Sequence, residues 1–74
     1  MLYALLYTPY MDCRACDAEV TLFDDLDEAS ASLRRMAEEA VADEGIESYG
    51  ISDFRAVTFN NDGSISHWNI NRVS

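Results

Sequence analysis

The chain has 74 residues, room for a single domain spanning 1–74. Its 14 Asp and Glu residues against 5 Arg and no Lys leave a net charge of −9, a field that repels phosphate backbones and anionic lipid, and so disfavours direct nucleic-acid or membrane binding. Apolar residues make up 49% of the sequence, too many for a disordered acidic tail, so the chain should fold, although around a thin core.

Taken in chain order, Leu2 to Thr8 is a continuous apolar run rich in Tyr. Such a run suits a central strand buried on both faces, and Pro9 is expected to end it because proline donates nothing to a ladder. Residues 9–17 read as a loop carrying Cys13 and Cys16. Ala18 to Phe23 is a possible second strand with Val20 and Leu22 facing the same way.

The next segment carries a helix signature. Asp25 is a good N-cap, and Glu28 three positions later completes an Asp version of the capping box. Ala29, Leu33, Met36, Ala37 and Ala40 recur at three- and four-residue spacing and form one stripe. Arg34 with Glu38 and Arg35 with Glu39 lie four apart on the opposite side, where they can pair. Gly45 suits the position just past the helix end, which predicts a helix over about residues 26–44.

Gly50 and Asp53 mark a turn and Phe54 to Phe59 a strand. Asn60-Asn61-Asp62-Gly63 is a hairpin signal, since these residues accept left-handed angles, and Ser64 to Arg72 is the return strand. The expected fold is α+β, one helix on a small, mainly antiparallel sheet in the order β-(β)-α-β-β. One helix covers one face. The other face is expected to carry Tyr3, Leu5, Tyr7, Val57, Phe59 and Trp68, an apolar patch large enough to mark an interaction surface.

Cys13-Arg14-Ala15-Cys16 is the recognisable motif, and the stretch from Leu5 to Cys16 superficially resembles a glutaredoxin opening. That family places a second proline beside its cysteines, whereas Pro9 is the only proline here. Asp12 and Asp17 flank the thiols and would raise their pKa, against a reactive thiolate. Zinc is the other use of such spacing, with His67 as a third ligand, but a structural site needs four. The simplest expectation is no cofactor and no metal, with both cysteines as small buried hydrophobes. No Gly-rich phosphate loop or calcium loop is present, and no nucleophile–base pairing is evident, so an enzyme is not expected.

The acidic residues cluster: positions 12 to 47 hold 12 of the 14 carboxylates. Those at the helix N-terminus, such as Asp27 and Glu28, suit the macrodipole. Asp43 and Glu44 sit at its opposite end, where they do not serve helix stability. Solubility, a salt-rich cytoplasm or a basic partner would each explain them. The leading expectation is a small cytoplasmic inhibitor or adaptor binding a basic protein surface, such as a nucleic-acid-handling groove, by analogy of type with phage anti-defence proteins including anti-CRISPR proteins. Its acidic side would comprise Asp12, Asp17, Asp27, Glu28, Glu38, Glu39, Asp43, Glu44 and Glu47. The alternative is an assembly protein that forms a homodimer, or packs on a partner, through Tyr3, Tyr7, Phe59 and Trp68 on its sheet. A further alternative is a zinc or redox site at Cys13 and Cys16.

Overall fold

The computed structural model describes residues 1–11, 14–15, 17–43 and 45–73. Among them the order is β1 (Tyr3–Met11), β2 (Arg14–Ala15), β3 (Glu19–Phe23), α1 (Leu26–Ala42), β4 (Ile46–Ile51), β5 (Arg55–Asn60) and β6 (Ile65–Arg72). The expected architecture holds: one helix lies on an antiparallel sheet, an α+β fold. The strand order is β3-β1-β6-β5-β4, with two-residue β2 continuing the β3 edge along Tyr10 and Met11.

β1 and β6 form the centre, in register from Tyr3↔Arg72 to Tyr10↔Ile65. β1 does not stop at Pro9. Pro9 sits opposite Ser66, where β3 has already ended at Glu19 and β2 has not begun, so no second neighbour asks for its missing N–H. The expected turn at 60–63 is present: Gly63 has φ +89°, the Gly63 N–H donates to the Asn60 carbonyl at 3.0 Å, and the Asn60 N–H donates to the Ser64 carbonyl at 2.9 Å.

β4 adds an edge strand that the sequence reading did not expect. Its residues show no apolar alternation, and only Ile46 and Ile51 are partly buried. A bulge between Ile46 and Ser48 breaks its register with β5.

The helix begins as expected. The Asp25 side chain accepts the Asp27 N–H at 2.9 Å, satisfying one orphan amide. It ends at Ala42, with Asp43 as an extended C-cap whose N–H donates to the Ala40 carbonyl. Gly45 lies further out than expected, at φ +104°, and its carbonyl accepts the Asn61 N–H at 2.6 Å, tying the helix exit to the β5–β6 turn.

Ala29, Leu33 and Ala37 form the buried helix stripe. With Leu5, Ala56 and Trp68 from the sheet, Leu33 and Ala37 make the core, flanked by Tyr7, Phe23, Met36, Ala40, Ile51 and Ile70. The two alanines bring the helix backbone close, which makes room for the one large ring, Trp68, beneath it.

Candidate protein-binding surfaces

The helix carries its charge outward. Asp27, Glu28, Glu38, Glu39 and Asp43 are all exposed, as are Asp17 before β3 and Glu47 at the β4 bulge. The helix has two acidic residues in its first turn and no basic residue in its last. The expected Arg34–Glu38 and Arg35–Glu39 pairs are not formed among the described residues. Arg34 instead reaches Asp53 in the β4–β5 turn at 2.9 Å, and Ser30 Oγ donates to the Asp53 carbonyl at 2.7 Å. That turn therefore neutralises Arg34 and leaves Arg35 as the cation beside the outer helix carboxylates, with which it forms no ion pair among the described residues. Asp12 and Glu44 lie outside the described residues.

At the helix exit the fold builds a groove of about 480 Å³. Asp43, Gly45 and Ile46 form one wall, and Thr58, Asn60, Asp62 and Ser66 of the β5–β6 hairpin form the other. A polar chain runs along the hairpin wall. Buried Thr58 donates from Oγ1 to Asn60 Oδ1 (3.2 Å), Asn60 Nδ2 donates to Ser64 Oγ (2.8 Å), and Ser64 Oγ donates to Asp62 Oδ1 (2.6 Å). The Ser64 hydroxyl, followed by the Ser64 N–H at 2.9 Å, holds the Asp62 carboxyl below its ordinary pKa of 3.8. Asp62 is thus held in its ionised form, and it lines the same groove as Asp43, the helix C-cap. The sequence reading missed Asp62 because 19 positions separate it from Asp43 and its Asn-Asp-Gly setting accounts for it as a turn residue.

The sheet surface differs from the expected one. Cross-strand partners share a face, and the pairs Leu5↔Ile70, Tyr7↔Trp68 and Trp68↔Ala56 all belong to the helix-covered side. Trp68 is 3% exposed, with its ring stacked on Tyr7 at 5.1 Å between centroids. Tyr3 shares the parity of Leu5 and Tyr7 and so lies on the same side. Of the four residues expected to bind through the sheet, only Phe59 is on the open face, where Val57 also lies. A charge placed at Trp68 would therefore report on folding and not on a partner contact. Trp68 Nε1 is buried without a hydrogen-bond partner among the described residues.

The open face carries the opposite parity: Leu6, Thr8 and Tyr10 of β1, Val20 and Leu22 of β3, Val57 and Phe59 of β5, and Ile65, His67 and Asn69 of β6. Val20 and Leu22 face the same way, as expected, and are more than half exposed. His67 sits mid-face between Thr8 and Val57. Cys13 and Cys16 lie outside the described residues. Among the described residues no cluster of three potential ligands is placed to hold a metal ion, and no helix is long and apolar enough to cross a membrane. Comparison of the chain with protein-family models, curated proteins and solved structures finds no match to any of them.

Proposed function

We propose that this chain is a protein-binding module, with no catalysis of its own, that engages a basic protein surface through its helix side and the groove at the helix exit. One observation carries the reading: Glu38, Glu39, Asp43 and Asp62 are exposed around the C-terminal half and exit of a helix that offers no basic residue in its last turn. Carboxylates at a helix C-terminus oppose the dipole, at roughly 0.3–1 kcal/mol each. Folding accounts for Asp62 through its bonds from Ser64 but not for Glu38, Glu39 and Asp43, whereas a partner's Arg and Lys would satisfy both the carboxylates and the last-turn carbonyls. The same Arg and Lys residues hold phosphates in nucleic-acid-handling proteins, so occupying them would make the module an inhibitor of such a protein.

The test uses paired baits in a lysate of the native host: the wild-type chain and the triple variant Glu38→Lys, Glu39→Lys, Asp43→Lys. All three positions are exposed, so the variant should fold normally. The wild type is expected to retain a basic protein that the variant loses. A partner retained equally by both baits would contradict the reading.

A further inference from the structure

We propose that the open face of the sheet is the interface of a homodimer, in which a second copy of this chain covers it and the two helices point outward. The inference is independent of the acidic-side reading and concerns the opposite side of the molecule.

In a chain of net charge −9, none of the residues that the strand register assigns to the open face carries a carboxylate. Its titratable groups are Tyr10, Arg55 and His67. It is the side on which two copies can approach without setting acidic side chains against each other. A basic protein has nothing to pair with there, and a nucleic-acid strand would meet the repulsion of the whole acidic molecule.

Five strands abreast at about 4.8 Å spacing span about 24 Å, and β1 and β6, of 9 and 8 residues, run about 26–30 Å. Allowing for the shorter outer strands, the face offers on the order of 600 Å² per copy. Two such faces bury on the order of 1,200 Å², within the range of specific interfaces. The Cα extents of 38 × 23 × 14 Å describe a slab with two broad sides, and the helix side carries the exposed carboxylates Asp27, Glu28, Glu38, Glu39 and Asp43.

The apolar pairs sit at diagonal corners of the face: Val20 and Leu22 at one, in the rows of Leu6-Asn69-Arg55 and Ala4-Asn71, and Val57 and Phe59 at the other, in the rows of Thr8-His67 and Tyr10-Ile65. Val20, Leu22 and Phe59 are 58%, 57% and 43% exposed. A two-fold axis in the plane of the interface, perpendicular to the diagonal that joins these two corners, sets the Val20 and Leu22 corner of one copy on the Val57 and Phe59 corner of the other, as an isologous interface requires. Sheets packed face to face sit about 10 Å apart with interdigitated side chains, which gives a four-layer α/β/β/α assembly.

Sedimentation equilibrium of the full chain over the low- to mid-micromolar range tests this. The expected mass is twice 8.3 kDa, with dimerisation unchanged or strengthened by added salt, since salt screens the repulsion between two acidic copies. Phe59→Glu puts a carboxylate into the face and should weaken the dimer by roughly a hundredfold while leaving the far-ultraviolet circular dichroism unchanged. Leu22→Glu, on the opposite flank, should do the same and decides the matter if Phe59→Glu does not fold. A wild-type monomer across the concentration range would overturn the proposal. So would a dimer that survives both folded variants, which would point to pairing through a sheet edge.

Discussion

Asp62 shows how a single side chain can be tied to local structure through its charge. Two donors from Ser64 stabilise its ionised form, so its folded pKa lies below the ordinary 3.8. A lowered folded pKa contributes stability that is present above 3.8 and is lost as pH falls through the folded value. Asp62→Asn removes this contribution. The urea midpoint of the variant should fall below that of the wild type at neutral pH, and the gap should narrow at about pH 3. A gap of equal size at both pH values would show that the carboxylate charge is not what the turn uses. The Asn60–Gly63 turn itself was legible from sequence because its residue types state the required angles. The proton equilibrium at Asp62 was not legible, since it depends on where the Ser64 hydroxyl points.

Among the elements, α1 was the most legible and β4 the least, for opposite reasons. α1 announces its start through Asp25 and its buried stripe through four-residue spacing, and both signals are local. Leu33 stands at the middle of that stripe with no exposed surface. Leu33→Ala should cost about 2–5 kcal/mol by urea unfolding, because the neighbouring alanines leave little that can collapse into the space. A loss well under 1 kcal/mol would mean that the helix is not seated as described. β4 has no such pattern because an edge strand exposed on both faces needs none. β1 is a third case. Its run Leu2 to Thr8 is apolar at both parities, so the sequence does not say which parity faces the helix. Pairing with β6 decides it, placing Leu5, Tyr7 and Trp68 inside. That is why three of the four aromatic residues expected at a binding surface belong to the helix-covered side. It also explains why the exposed patch centres on the less conspicuous Leu6, Val20, Leu22 and Phe59.

In the whole molecule, the carboxylates gather on the helix side while the register assigns none to the open sheet face; exposed apolar residues lie on both sides, Val20, Leu22 and Phe59 on the open face and Met11 and Tyr49, by parity, on the other. The separation was visible in outline from the sequence, where 12 of 14 carboxylates precede residue 48. What the sequence did not contain was the neutralisation of Arg34 by Asp53 or the lining of one groove by both Asp43 and Asp62, since both depend on the packing of elements distant in the chain. The two sides respond oppositely to salt. An interface of exposed carboxylates with a basic partner is electrostatic and weakens as ions screen it, whereas a sheet-to-sheet dimer of two acidic chains does not. Salt therefore separates the two contacts within one preparation.

The proposed contact joins the helix side and its exit groove to a basic protein surface. The most direct measurement is a titration of the captured partner with the wild-type chain from low to high salt, by calorimetry or fluorescence anisotropy. The affinity should fall steeply as salt rises, about tenfold or more across the physiological range, with most of the change in the association rate. An affinity that stays constant across that range would contradict it.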